Sequence, residues 1–230
     1  FGHSSSCFDV DGDGAEEILM GSYLLSGSGR LLWCLEGAEF WDRYEGARHV
    51  DESFILPLTG DSSKPVAVFA AGAEGLFFAD AKNGKVTAHH DIGHVQFVEP
   101  GTFRPDLPGQ QVWATTRHGN FGITALYDCF GDELFYHQPH YDIAAPKRVH
   151  WTAETDLMLY GRGGVPRLPG LFDSEGFCVV NLPEQEQRDT VQFVADLRDS
   201  GFDNWCFHSD GSLRVYGPAD DCSGNESAGC

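Results

Sequence analysis

The sequence predicts an all-β fold: a β-propeller of four-stranded blades, with about five blades visible, standing alone or within a larger ring. Three observations predict it. The 28 glycines among 230 residues exceed the roughly 7% of average composition, and they alternate with short apolar runs, the pattern of many tight turns between short strands. A histidine-led segment recurs as "FGHSSSCFD", "ARHVDESFIL", "IGHVQFVEP" and "KRVHWTAET", with His3, His49, His94 and His150 at steps of 46, 45 and 56 residues. Helical periodicity is weak throughout. Units of roughly 40–50 residues carrying four short strands are the mark of propeller blades. A β-sandwich with coincidental spacing is the alternative.

The blades are expected to start near residues 1, 47, 92, 147 and 191 and to fill 1–219, with 220–230 a flexible tail. After each histidine segment comes a polar turn and a second strand: "EEILMGSYLL", "KPVAVFAAG", "QQVWATTR" and "TDLMLYGRG". Third strands are read at "GRLLWCLEG", "EGLFFADA", "GITALYDC" and "GFCVVNLP". Fourth strands are read at "KVTAHHD" and "ELFYHQP". Asn83-Gly84 and Gly131-Asp132 supply hairpin turn chemistry. The fifth unit runs strand, acidic turn, strand, Asp210-Gly211 turn, strand. The abrupt start suggests a piece of a longer chain.

Composition narrows the function classes. A formal charge of −20 repels phosphate backbones and anionic membranes, which excludes nucleic acid as a partner and suits bound cations. No apolar run reaches the roughly 18–20 residues that span a bilayer. Seven cysteines without a CxxC pair give no zinc signature. Most read as buried thiols, while Cys222 and Cys230 stand close enough in the tail to pair with each other.

The stretch "DVDGDGAEE" places Asp9, Asp11, Asp13 and Glu17 at alternate positions of a glycine-rich turn. Such a loop turns several hard oxygens inward, and Ca2+ takes such ligands in flexible geometry. No helix flanks it, so it is not an EF-hand. The other reading is a solvated acidic turn whose aspartates bond the local backbone. Equivalent turns are depleted: Asp61 remains in the second, Asp106 in the third, and Asp196, Asp199 and Asp203 in the fifth.

The DxDGDGxxE loop resembles the repeat of integrin-type propellers. The segment "GHVQFVEPGTFRPDLPGQQVW", followed by "GITALYDCFGDELF", is similar to bacterial rhamnogalacturonan lyases through Gly93, His94, Pro105, Asp106, Pro108 and Gly109, then Tyr127-Asp128 and Gly131-Asp132-Glu133. The first unit shares that family's pattern. The likeness covers about two of the five units. It implies an extracellular or periplasmic, Ca2+-dependent propeller that cleaves an acidic polysaccharide, rhamnogalacturonan or pectin, by β-elimination, acting as a monomer. The sequence departs from the family at Gln96 to Glu99, where no second histidine follows.

β-Elimination on a uronate needs a base for the C5 proton, a cation for the carboxylate and an acid for the leaving oxygen. His94, Arg117 and His118 form the candidate catalytic set, because "TTRHGN" ends the strand that follows the Gly-His unit. Like positions of successive blades converge, so His3, His49 and His150 are candidate substrate-binding residues. The structural reading of the same histidines is strand capping. Trp113, Trp151 and Trp205 are candidates either for sugar stacking or for blade packing. The competing function is a non-catalytic, calcium-stabilised propeller that binds polysaccharide or protein.

Overall fold

A computed structural model describes residues 3–38, 49–118, 122–138, 144–161, 170–181, 191–209 and 211–218. The tail at 220–230, the Cys222–Cys230 pair and Asp210 lie outside the described residues. Among the described residues there are nineteen strands and no helix. All strand pairs are antiparallel, and each sheet is a meander in chain order.

Sheet one holds β1 (Ser5–Phe8), β2 (Glu17–Met20), β3 (Tyr23–Leu25) and β4 (Leu31–Cys34). Sheet two holds β5 (Glu52–Leu56), β6 (Val66–Ala70), β7 (Leu76–Asp80) and β8 (Val86–His90). Sheet three holds β9 (Val95–Gly101), β10 (Gln111–Thr116), β11 (Thr124–Tyr127) and β12 (Glu133–His137). Sheet four holds β13 (Ala144–His150), β14 (Asp156–Gly161), β15 (Gly170–Phe172) and β16 (Cys178–Asn181). Sheet five has three described strands, β17 (Val191–Ala195), β18 (Asn204–Ser209) and β19 (Ser212–Tyr216).

Two strand assignments change. "EEILMGSYLL" is two strands rather than one, because Gly21 takes a left-handed φ of 58° and reverses the chain between β2 and β3. "GRLLWCLEG" is therefore the fourth strand of its sheet. In sheet four the three-residue β15 precedes "GFCVVNLP", which makes that segment the fourth strand as well.

The chain divides into two compact units: 1–101 with 106–143, and 102–105 with 144–230. In the first, side-chain alternation explains how three sheets share two cores. Along β6, Ala67 and Phe69 join Leu19, Leu24 and Trp33 of sheet one, while Val68 and Ala70 join Val98, Val112 and Ala114 of sheet three. Both faces of sheet two are therefore buried, which is why its central strands read as unbroken apolar runs. Phe69 and Phe78, fully buried, each contribute about 1.5–3 kcal/mol by leaving water. The first strands of the three sheets are also tied edge to edge. The His3 amide donates to the Val50 carbonyl at 3.0 Å, the Ser53 amide to Ser4 Oγ at 3.0 Å, and the Val98 amide to Glu52 Oε2 at 2.9 Å.

In the second unit Val149, Leu157 and Leu171 of sheet four pack on Trp205 and Phe207 of sheet five. Trp113 in the first unit and Trp205 in the second are fully buried. Both pack within cores and neither presents a face to a sugar.

Candidate functional site

His49, His94 and His118 each stand at a strand end, and their rings form a row with His3. Ring centroids are 5.1 Å apart for His3 and His49, 5.7 Å for His49 and His94, and 5.3 Å for His94 and His118. His3 precedes β1, His49 precedes β5 and His94 precedes β9, so three successive sheets each deliver one imidazole to the same end. Arg117 and His118 follow β10, and the Arg117 amide donates to the His94 carbonyl at 2.8 Å. The structure thus brings together His3, His49, His94, Arg117 and His118. His118 holds a left-handed φ of 59°, a conformation of a non-glycine residue that concentrates at functional sites.

Beneath the row lies Asp51, whose side chain is only 3% exposed. Its Oδ1 is 3.0 Å from His49 Nε2 and accepts from Gln96 Nε2 at 2.9 Å. Its Oδ2 is 3.1 Å from His94 Nε2. That approach is off the line of a hydrogen bond and leaves this buried oxygen without an aligned donor. His3, His49 and Asp51 offer ligand atoms all within 4.8 Å of one another. Two imidazoles and one carboxylate, one of whose buried oxygens is unsatisfied, fit a divalent cation. Burial pushes His94 below the ordinary histidine range, opposed by the Asp51 charge and reinforced by His118 and His49. A neutral imidazole at neutral pH is able to accept a proton.

The floor of this cluster is backbone. The Asp51 amide donates to the Ala70 carbonyl at 2.8 Å, and Val95 and Gly72 exchange two backbone bonds. Gly72 has φ 53°, and a Cβ there would meet the His49 carbonyl at 2.9 Å and Asp51 Oδ2 at 3.5 Å. Only glycine fits below the carboxylate.

The acidic loop between β1 and β2 forms the second feature. Asp9 frames it: Oδ1 accepts the Gly12 and Asp13 amides at 2.7 and 3.2 Å, and Oδ2 accepts the Gly14 amide at 2.9 Å. Glu17, buried at 5% exposure, accepts the Val10 amide at 3.0 Å. Asp9, Asp11 and Glu17 offer oxygens within 4.8 Å of one another, a hard donor set that fits Ca2+. Asp13 stands apart from that set, with its Oδ1 taking the Ala15 amide at 2.7 Å.

The loop between β17 and β18 has the same frame with different chemistry. Asp196 accepts the Ser200 amide at 3.1 Å and the Gly201 amide at 2.8 Å, at the offsets by which Asp9 holds Asp13 and Gly14. Asn204 accepts the Leu197 amide at 3.1 Å, as Glu17 accepts Val10. Arg198 and Ser200 stand where Asp11 and Asp13 stand in the first loop, and Asn204 where Glu17 stands. The conformation persists with the aspartate that frames it, while the other two acidic donors are replaced.

His150 is placed differently from the other three. It ends β13, whereas His3, His49 and His94 precede the first strands of their sheets. The position matching theirs ahead of β13 falls in 139–143, outside the described residues. His150 belongs to the second unit, where its Nδ1 lies 2.7 Å from Asp156 Oδ1 and its ring stacks on Phe202 at 5.7 Å. Asp156 Oδ2 accepts the Thr102 amide at 2.7 Å. Sequence reasoning did not single out Asp51 or Gly72, and it read Gln96 only as a position lacking a histidine. The available signal was the spacing His49-Val50-Asp51 at a strand start.

No family profile matches the chain, and no curated protein matches it. Solved structures do. The exotype rhamnogalacturonan lyase YesX aligns over 94% of this chain and 37% of its own, at 20% identity and a TM-score of 0.65. A rhamnogalacturonan lyase from Bacillus licheniformis aligns over 94% of this chain and 35% of its own, at 20% identity and TM-score 0.61. Rhamnogalacturonan lyase YesW aligns over 94% and 35%, at 19% identity and TM-score 0.59. The likeness is one of fold, and the chain spans little more than a third of these enzymes.

Proposed function

We propose that the five sheets are blades of a rhamnogalacturonan-lyase-type β-propeller, and that the imidazole row with Asp51 is its catalytic centre, cleaving an acidic polysaccharide by β-elimination. The observation that carries this reading is the row of His3, His49, His94 and His118 rings over one buried carboxylate that His49 and His94 approach directly. Hydrogen bonds at the first strands of three successive sheets support the propeller, in which the inner strands of neighbouring blades lie side by side.

In this proposal His94 takes the proton from C5 of the uronate. The C5–H electrons form the C4=C5 double bond, the C4–O bond breaks, and His118 gives a proton to the departing oxygen. Arg117 pairs with the uronate carboxylate. His3, His49 and Asp51 would hold a divalent cation, and when bound it neutralises the same carboxylate and so acidifies C5–H. Asp9, Asp11 and Glu17 would hold Ca2+ as a structural ion. His150, engaged by Asp156, takes no part. Such a protein acts outside the cytoplasm, where the polymer is found.

The test is ultraviolet absorbance of unsaturated uronates, followed with rhamnogalacturonan and with polygalacturonate, with Ca2+ and with a chelator. A Ca2+-dependent rise that His94→Ala and Arg117→Ala abolish is expected. A flat trace from protein with an intact circular dichroism spectrum, together with retained polysaccharide binding, replaces the enzyme with the binding propeller.

A further inference from the structure

A cavity of about 340 Å3 lies beside the first acidic loop, within the first unit. Asp11, the buried Glu17 and Lys82, in the turn after β7, are its charged lining. The apolar lining is Val10, Leu24, Leu32 and Trp33. Trp33 is held in place by its indole N–H, which donates to the Ala81 carbonyl at 2.9 Å. Leu32 is 39% exposed on the outer strand of sheet one. The volume falls within the range of small-ligand sites, and a rigid apolar wall with few polar groups is their usual lining.

We propose that this cavity is a saccharide subsite, in which the vicinal hydroxyls of one pyranose complete the coordination of an ion held by Asp9, Asp11 and Glu17. The inference rests on the calcium reading of that loop. Ca2+ takes roughly six to eight oxygens, more than three carboxylates provide one by one. Asp11 and Glu17 are shared by the candidate donor set and the cavity lining, so an ion held there would border the cavity. A pyranose has a C–H face and a hydroxyl edge. The face matches Leu32 and Trp33, and the edge matches the ion. With the ion in place, the three carboxylates, the cation and Lys82 sum to no net charge, which admits a neutral sugar. Lys82 adds a partner for a uronate carboxylate.

The experiment uses the whole chain with Tb3+ in place of Ca2+. Emission excited through tryptophan reports the ion, and its lifetime in H2O and D2O counts bound waters. D-galacturonic acid and methyl α-L-rhamnoside are the probes. The expected result is a loss of about two waters on adding a sugar, one for each hydroxyl of the diol. Lys82→Ala and Leu32→Glu are expected to keep the Tb3+ emission, with Lys82→Ala losing the response to galacturonic acid and Leu32→Glu the response to both sugars. Asp11→Asn is expected to lose the emission itself, with near-ultraviolet circular dichroism confirming that each variant is folded. Bright emission with a water count that no sugar changes overturns the subsite and leaves the calcium reading standing. Absence of emission from the folded parent chain overturns both.

Discussion

Asp51 joins the imidazole row to the sheets, because one buried carboxylate faces His49, His94 and Gln96 at once. Truncation to alanine leaves the Gln96 amide and the His49 ring nitrogen without their partner and removes the carboxylate oxygen beside His94. Asp51→Ala is therefore expected to cost about 1–3 kcal/mol, the range for unsatisfied buried donors, read as a lowered urea midpoint. Asp51→Asn keeps the shape and should cost less, yet it should still abolish any thermal shift from a divalent cation at this cluster. Gly72→Ala tests the floor: its left-handed φ alone costs an alanine roughly 1–2 kcal/mol, and the contact with the His49 carbonyl adds to this. A urea midpoint equal to the parent's would show that Gly72 does not fix the cluster. The histidines were legible because they recur. Asp51 was not, since its burial depends on Gln96 and on Ala70–Gly72, brought from positions far along the chain. His150 misled because its spacing resembles the others while it lies at the opposite end of its strand.

At the scale of elements, the loops after β1 and β17 share a frame and differ in charge. The frame is set by one aspartate gathering successive amides, so it needs no ion to form. The acidic side chains, not the backbone path, therefore decide ion binding. The double variant Asp11→Arg with Asp13→Ser gives the first loop the fifth-sheet residues at those two positions. It should keep the β-sheet circular dichroism spectrum, and the rise in Tm expected on adding Ca2+ to the parent should be absent. A retained rise would locate the ion elsewhere. The frame also predicts a titration. Backbone amides of Ser200 and Gly201 hold the Asp196 carboxyl below the ordinary aspartate value of 3.8. Its folded value is depressed, so its contribution to the loop is complete above pH 3.8 and is lost as pH falls through that lower value. Carboxyl carbon NMR should give an Asp196 midpoint under 3.8, and a midpoint at or above it would deny the amide cradle. The acidic motif itself was legible from its spacing. The departure of Asp13 from the donor set was not, because alternate spacing along a turn does not fix where each short side chain points.

Over the whole molecule, both candidate cation sites among the described residues belong to the first compact unit. The chain carries a formal charge of −20, so bound cations relieve self-repulsion as well as tying strands together. The repeat rhythm made the sheet order legible, and the depleted turns pointed to this asymmetry; that sheet five keeps the acidic loop's frame with Arg198 and Asn204 in place of Asp11 and Glu17 was not legible. Hydrogen exchange resolves the consequence. A ligand at a hundred times its Kd stabilises the state that binds it by about 2.7 kcal/mol, equivalent to roughly hundredfold slower exchange where opening releases the ion. Adding Ca2+ to chelator-treated protein should slow exchange in β1 and β2, and at the starts of β5 and β9 if the imidazole cluster is also filled. Amides of β13 to β19 should exchange at the same rate with and without the ion. Equal slowing in both units would mean that they open together as one cooperative body. Slowing confined to β13–β19 would place the cation in the second unit and remove the acidic loop as its site.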